Sequence, residues 1–512
     1  MLLLPTNNMS GPSLSTAILV GLCLISCSPQ EKAAPVDAPV NIILLMGDDH
    51  GWEETGYNGH PFVQTPVLDA MAASGLRLDN FYSASPVCSP TRGSVITGRH
   101  PNRYGTFAPN WSIRPEEVSI AQILGKAGYA TGHFGKWHLG PVKVNSPTNP
   151  GALGFDTWLS HDNFFEIDPT FSRNGGQPEQ FVGESSEILI DETINFIEQA
   201  NERDQPFFAI VWFGSPHEPH SGLEQDLALY DQLPDSLENF TVRLTSMETG
   251  LPVERSLKEV LRERFAEITA MDRAIGKLRA HLEQQKINQN TLIWYCGDNG
   301  VPSSGNYNPT FRGVKGMVYE QGVRVPGIIE WPGALEKPLA TSLNAVTSDM
   351  LPTLCELTGQ PLPSRPLDGI SLLPAINGTM VKRPEPIYFW NYETGHETDQ
   401  DLDPYIDPEL QSGTTPLVKI MDGKYTRSFR NFHHPAINQA DFKGPRSVLD
   451  GTYKLVIDGE PGATKELFNL ANDPLEKENL VDAEPEVAQQ LEAKLWQWQN
   501  SVLESLTGAD YP

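Results

Sequence analysis

The sequence predicts an α/β fold in which a mostly parallel central sheet is flanked by helices, followed by a smaller C-terminal α+β unit with an antiparallel sheet. Val40–Met46, Phe207–Phe213 and Thr291–Cys296 are continuous apolar runs, the pattern of strands buried on both faces. Stretches of helical period separate them. Beyond about Asn377 the texture changes to short alternating strands, Ile387–Trp390, Tyr425–Phe429 and Tyr453–Ile457, and a final helix near Pro485–Leu503.

A chain of 512 residues is long enough for two to three domains, or for one large α/β domain with a satellite. Hydrophobic residues make up 39% and charged residues 20%, and there is no apolar run of roughly 18 residues, so the chain reads as a globular body and not a membrane-embedded one. A formal charge of −28 argues against nucleic acid as a partner. An anionic substrate would have to be met by cations concentrated locally.

Residues 1–26 carry no charge, and Ala17–Ile25 is apolar over a length typical of a signal peptide and too short to span a bilayer. Leu24-Ile25-Ser26-Cys27 resembles a bacterial lipobox, with Cys27 as the lipidated first residue of the mature chain. Its leading segment lacks the usual Lys or Arg, and an ordinary signal peptide cut nearby is the competing reading. Either implies export, to the periplasm or to an outer-membrane or cell-surface anchor. The expected organisation is a signal over 1–26, a polar Pro/Ala linker over 27–39, a catalytic domain over 40–376 and a C-terminal α+β subdomain over 377–512. Of the cysteines, Cys23 leaves with the signal and Cys27 is the anchor. Only Cys296 and Cys355 remain to pair once Cys88 is given a chemical role, so no disulfide framework is expected.

Taken in order, the run Val40–Met46 ends in Gly47-Asp48-Asp49-His50-Gly51. Adjacent carboxylates at the carboxyl end of a buried strand are costly to desolvate without a partner, and hard cations such as calcium take such oxygens. A solvated acidic turn is the alternative. Thr65-Pro66 begins a helix with Leu68, Met71 and Ala72 on one face and Gly75 as its stop. The segment Cys88-Ser89-Pro90-Thr91-Arg92 follows the aromatic run Asn80-Phe81-Tyr82 and reads as a turn into a helix that ends at Gly98. Cys88 would face the positive end of that helix, where a developing anion is stabilised; a small buried cysteine is the plainer reading.

A helix over Ile120–Lys126 and a strand over Tyr129–Phe134 deliver Gly135-Lys136-Trp137-His138-Leu139-Gly140, in which Lys136 and His138 project to the same side of an extended segment. Gly151–Pro178 is rich in Gly, Asn, Asp and aromatics without clear periodicity, a texture common in substrate-facing loops. A helix near Ser186–Ala200 precedes the strand Phe207–Phe213, which ends in Ser215-Pro216-His217-Glu218-Pro219-His220, again at the strand edge where open α/β sheets bind ligands. Leu257, Leu261, Phe265, Ile268, Ile275, Leu278 and Leu282 predict a long helix on the sheet with its charged residues as a solvated face. Thr291–Cys296 then ends in Gly297-Asp298-Asn299-Gly300, a second oxygen-rich loop at a second strand end. A strand over Val325–Trp331 and a helix over Thr347–Thr358, stopped by Gly359, complete the first part.

Cys88-Ser89-Pro90-Thr91-Arg92 followed by Ser94-Val95-Ile96-Thr97-Gly98-Arg99 resembles the signature of the type I, formylglycine-dependent sulfatases. Gly135-Lys136-Trp137-His138 resembles that family's Gly-Lys-Trp-His block, and Pro216-His217-Glu218-Pro219-His220 its Pro-His-X-Pro-His turn. The block from Arg312 to Gly322 resembles Arg-Gly-X-Lys-Gly-X-X-Tyr-Glu-Gly-Gly, with Gln321 in place of a glycine. If the backbone there needed a positive φ, Gln321 would be strained. Glu466–Pro474 resembles the family's C-terminal turn.

The resemblance implies an alkaline-phosphatase-like sandwich and a sulfuric ester hydrolase. It implies that a formylglycine-generating maturase oxidises Cys88 to formylglycine (3-oxoalanine), whose hydrate attacks sulfur. Asp48, Asp49, Asp298 and Asn299 would hold calcium together with the converted Cys88, and Arg92 and Lys136 would hold the hydrate. Lys136 and Lys315 would neutralise sulfate, His138 would take a proton during sulfate elimination, and His217 would protonate the leaving oxygen. Further substrate contacts are assigned to Arg312, Trp158, His161, Arg173, Arg430 and His433, with Arg427, His434 and Arg446 as neighbouring candidates and solvated loop charges as the alternative. Family and compartment imply a sulfated carbohydrate, an algal galactan such as carrageenan or a glycosaminoglycan fragment. The competing functions are a phosphomonoesterase or phosphodiesterase of the same superfamily, which would use Ser or Thr with zinc, an unconverted sulfate-ester-binding lipoprotein, and a purely structural surface protein.

Overall fold

Asn41–Gly47 (β1) is apolar along its length because both of its faces are covered. Ile42, Leu44 and Met46 join one hydrophobic cluster and Ile43 and Leu45 another on the opposite side of the sheet. In this computed structural model the described residues are 39–511 except 247–250, 306, 308, 336, 393–401, 417–426, 438 and 460–462. The expected signal, the linker up to residue 38 and Cys27 lie outside them.

The other strands of the central sheet are Leu76–Leu78 (β2), Ala130–Lys136 (β3), Thr157–His161 (β4), Thr170–Arg173 (β5), Pro178–Gln180 (β6), Phe207–Trp212 (β7), Thr291–Gly297 (β8), Gly327–Glu330 (β9) and Leu339–Thr341 (β10). Among the described residues these ten form one sheet in the order β10-β2-β9-β8-β1-β7-β3-β4-β5-β6. The central run β8-β1-β7-β3-β4 is parallel throughout. Antiparallel strands extend it, β9 on β8 at one side and β5 and β6 beyond β4 at the other. Strand Val325–Trp331 of the sequence reading is therefore present as the shorter β9, running against its neighbours.

Helices cover both faces. Cys88–Thr97 (α2), Ile120–Lys126 (α3) and Met350–Thr358 pack on one side; Pro66–Ser74 (α1), Ser185–Glu202 (α4) and Leu257–Gln284 (α5) pack on the other. Each fully buried Leu or Ile side chain in these layers contributes about 1.5–3 kcal/mol. Helix starts and stops follow the sequence signals. Pro66 opens α1 after Thr65, and Gly98 ends α2 in the left-handed conformation at φ 69°. The charged residues of α5 depart from expectation. Arg264, Glu267 and Asp272 are buried, so this helix has no uniformly solvated polar face.

The C-terminal sheet comprises Ile387–Trp390 (β11), Arg446–Asp450 (β12), Tyr453–Ile457 (β13) and Lys465–Asn469 (β14), antiparallel in chain order. One face packs on Pro485–Leu506 (α6) and the other on Tyr82, Val318, Val323 and Val346 of the larger sheet's layers. The strand expected over Tyr425–Phe429 is absent among the described residues. Residues 425 and 426 lie outside them, and Ser428 makes only an isolated bridge to Ser412. Residues 427–429 run instead as a loop, with the Phe429 ring 6.5 Å from that of His138. The Glu466–Asn469 turn motif forms strand β14. Lys454 of β13 donates to Glu320 at 2.9 Å and pairs with Glu476 at 3.0 Å, a fully buried latch between the two sheets.

Candidate active site

Strands β1 and β8 are in register from Asn41 opposite Thr291 to Gly47 opposite Gly297, so their carboxyl ends deliver Asp48-Asp49 and Asp298-Asn299 side by side. The backbone N–H of Asp49 donates to Asp298 Oδ1 at 2.9 Å, and Asn299 Nδ2 donates to Asp49 Oδ1 at 2.8 Å. Gly300 is required here, since a Cβ would stand 1.7 Å from the carbonyl oxygen of Gln321. All three carboxylates are buried, and each faces a cation. Lys136 Nζ donates to Asp48 Oδ2 at 2.6 Å, Lys315 Nζ to Asp49 Oδ1 at 2.5 Å, and Arg92 to Asp298 Oδ2 through Nε at 3.1 Å and Nη2 at 2.6 Å.

Cys88 is the first residue of α2, as the sequence predicts, and its Sγ stands 3.4 Å from Nδ1 of His138. Ser89 Oγ donates to the His138 carbonyl at 2.6 Å and the His138 N–H to the Asp162 carbonyl at 3.2 Å, which hold His138 in the left-handed region at φ 56°. One oxygen or sulfur each of Asp48, Cys88 and Asp298 lie within 4.8 Å of one another, as do single ligand atoms of Asp48, Asp49 and His217. Asp48 Oδ1 and Asn299 Oδ1 are buried without a hydrogen-bond partner. Orphaned oxygens converging with two further carboxylates suit a hard cation taking oxygen ligands.

Burial opposes the Asp49 charge, yet Lys315 and His217 outweigh it and hold that carboxyl well below the usual carboxylate range. Burial, reinforced by Asp48, pushes Asp298 up to about 6 against the pull of Arg92. The helix terminus does not make Cys88 a ready thiolate. Burial pushes its thiol up despite Lys136 and Lys315. Burial also drives His138 and His217 well below the usual imidazole value. His217 Nδ1 lies 2.5 Å from the Glu218 carbonyl, which can only accept, so Nδ1 carries the hydrogen and Nε2, 3.8 Å from Asp49 Oδ2, is the nitrogen free to exchange a proton. The side chains of Arg92 and Lys136 are 0% exposed, whereas those of Lys315 and His217 are 19% and 14% exposed. The site therefore opens on the Lys315–His217 side.

Buried behind these groups is one that the sequence reading missed. Arg264 of α5 donates to Glu54 through Nε at 2.6 Å and Nη2 at 2.7 Å, to the Asp49 carbonyl at 2.6 Å and to the Pro216 carbonyl at 2.7 Å. It ties the Asp48–Asp49 turn to the His217 turn. Gln321 lies within the short helix Glu320–Val323, not in a left-handed conformation, so the strain considered from sequence does not arise; its side chain accepts from Phe311 N at 2.8 Å and contacts Glu53.

The weaker sequence candidates are engaged elsewhere. Arg173 forms a two-point pair with Glu192 at 2.8 and 2.9 Å, and Arg312 one with Glu466 at 3.0 and 3.2 Å. Trp158 is buried in β4. The His161 ring accepts from Asn163 N at 3.0 Å and lies 3.2 Å from the Pro416 carbonyl. Arg430 lies 4.6 Å over Trp111, and the His433 ring is 3.6 Å from that of Tyr405.

The family model described as Sulfatase matches residues 40–360. The chain is 29% identical over 381 residues to the ulvan-active sulfatase of Formosa agariphila, covering 72% of this chain and 71% of that protein. It is 31% identical over 401 residues to N-acetylgalactosamine-6-sulfatase of Mus musculus, covering 71% of each. The crystal structure of Ps i-CgsB in complex with k-i-k-neocarrahexaose shares the fold, with a TM-score of 0.72 at 22% identity over 91% of this chain and 93% of that one.

Proposed function

We propose that this chain, which belongs to the sulfatase family and is a sulfuric ester hydrolase, is an exported enzyme that removes sulfate from a sulfated carbohydrate. The observation carrying this reading is the convergence of Cys88, the fully buried Arg92 and Lys136, the partly exposed Lys315 and an oxygen-lined cradle at the carboxyl edge of one parallel sheet. Names of relatives support the substrate class: one acts on ulvan, another is an N-acetylgalactosamine-6-sulfatase.

Cys88 is the residue a maturase would oxidise to formylglycine, whose hydrate would supply the nucleophilic hydroxyl. A thiol whose ionisation is suppressed by burial is a poor nucleophile, which favours the converted residue. Asp48, Asp49, Asp298 and Asn299 would hold calcium, which when bound supplies Lewis-acid stabilisation of the sulfate oxygens. Arg92 and Lys136, fully buried beside Cys88, orient the nucleophile and add fixed positive charge. Lys315, at the open side, meets the sulfate as it enters. Charge accumulating on the sulfuryl oxygens is stabilised without solvent reorganisation because these donors are already in place.

His138, next to Cys88, is positioned to take the proton that must leave when sulfate is expelled. His217, with Nδ1 fixed on a carbonyl and Nε2 facing the site, is positioned to protonate the departing sugar oxygen once Nε2 has taken up a proton, a charge that the bound anionic ester stabilises. The exported character and the Cys27 lipid anchor rest on the N-terminal sequence pattern. The test is hydrolysis of a panel of sulfated mono- and oligosaccharides by protein co-produced with a formylglycine-generating enzyme. Sulfate release from carbohydrate and not from matched phosphate esters is expected; preference for phosphate esters would overturn the reading.

A further inference from the structure

Arg427 differs from the other cations of the site in what it faces. Arg92, Lys136 and Lys315 each donate to a carboxylate, whereas Arg427 has no ion pair among the described residues. Its Nη1 donates to Asn110 Oδ1 at 2.7 Å, its guanidinium carbon lies 5.3 Å from the centre of the Phe164 ring, and its buried Nε has no hydrogen-bond partner. The guanidinium is thus fixed in orientation by an amide and an aromatic face, while half of its Nε/Nη2 fork is left without an acceptor. That fork is the edge on which arginine takes carboxylate or sulfate oxygens. Holding a partly buried charge without an anion is unfavourable unless a ligand completes it.

Phe164 fixes the direction. Its ring also stacks on that of His217, with centroids 5.2 Å apart and planes 14° apart. Phe164 therefore carries the leaving-oxygen acid and the unpaired guanidinium together, on the side of the site where the alcohol sits. The scissile sulfate already has Arg92, Lys136 and Lys315.

We propose that Arg427 is a specificity residue that receives a second anionic group, a carboxylate or a second sulfate, on the sugar carrying the scissile ester or on the sugar next to it. This rests on the sulfated-carbohydrate reading and on His217 marking the leaving-group side. The substrate class is thereby narrowed to polyanionic sugars, sulfated uronates or multiply sulfated saccharides.

The test compares three substrates that share one scissile ester: a neutral monosulfated sugar, the same sugar with a second sulfate, and a monosulfated disaccharide containing a uronate. For each, kcat/KM is measured with wild type, Arg427→Gln and Arg427→Lys. Arg427→Gln is expected to lower the ratio of doubly to singly charged substrate by roughly ten- to hundredfold, with Arg427→Lys intermediate. The uronate and second-sulfate arms identify the anion. An unchanged ratio in Arg427→Gln, or an equal loss on all three substrates, overturns the proposal. A second measurement needs no variant: the desulfated product that keeps an anion should inhibit wild type more strongly than the neutral product, and equal inhibition overturns the proposal too. If wild type hydrolyses none of the sulfate esters, the underlying functional reading fails; hydrolysis with an Arg427-independent ratio removes only this inference.

Discussion

The guanidinium of Arg264 donates to the main-chain carbonyl of Asp49 at 2.6 Å while its other nitrogens hold Glu54 and the Pro216 carbonyl. A helix on the back of the sheet thereby sets the backbone of the Asp48–Asp49 turn and of the His217 turn in one step.

Arg264→Met leaves Glu54 buried without its partner and should cost about 3–5 kcal/mol of stability. Because Arg264 works through Asp49, the variant should also bind calcium more weakly than a core variant of matched stability. Calorimetric calcium titration alongside thermal unfolding separates the two effects. Unchanged calcium affinity would make Arg264 purely structural.

Removal of calcium by a chelator should abolish sulfate release and lower the melting temperature, and calcium should restore both. At about a hundredfold excess over its dissociation constant a bound ion adds ~2.7 kcal/mol. Asp298→Asn should respond to neither chelation nor calcium addition, as measured by thermal unfolding with and without the ion.

His217→Ala should slow hydrolysis of sugar sulfates by roughly 10²–10⁴-fold. The loss should be much smaller for an aryl sulfate whose phenolate leaves without protonation. Comparing kcat/KM for the two leaving groups checks the role, and an equal loss on both would assign His217 to another step.

Asp368 supplies an acid-sensitive joint between the two sheets' layers. It accepts from Arg103 at 2.7 and 2.8 Å, from His100 N at 2.6 Å and from Trp498 Nε1 at 2.7 Å. Burial opposes its charge, but Arg103 outweighs burial and holds the carboxyl well below the usual carboxylate range. A depressed folded-state pKa contributes stability that is present above the unfolded value near ~3.9 and lost as pH falls through the folded value. The melting temperature of wild type should therefore drop below about pH 5. Asp368→Asn should be less stable at neutral pH and show a shallower acid limb.

The placing of Asp48, Asp49, Asp298, Asn299 and the Lys136–His138 block at one sheet edge was legible in the sequence because buried parallel strands leave long apolar runs, and the polar residues ending them fall at that edge. Arg264 was not legible. Its helical spacing reads as a solvated face, and its burial depends on Glu54, 210 positions away in the chain. Arg427 falls in the expected strand Tyr425–Phe429, which the described residues do not form, so its place beside Phe164 follows only from tertiary structure. Arg173 and Arg312 show the converse. Their charges resemble those of ligand-binding residues, but tertiary structure commits them to Glu192 and Glu466.

The role of Cys88 is tested most directly by the mass of the peptide containing it, taken from protein co-produced with a formylglycine-generating enzyme and measured together with sulfate release from a sulfated saccharide. The expected result is the mass change of a thiol becoming an aldehyde, with activity proportional to the converted fraction and absent in Cys88→Ala. An unmodified thiol in protein that still releases sulfate, or full activity in Cys88→Ala, would contradict it.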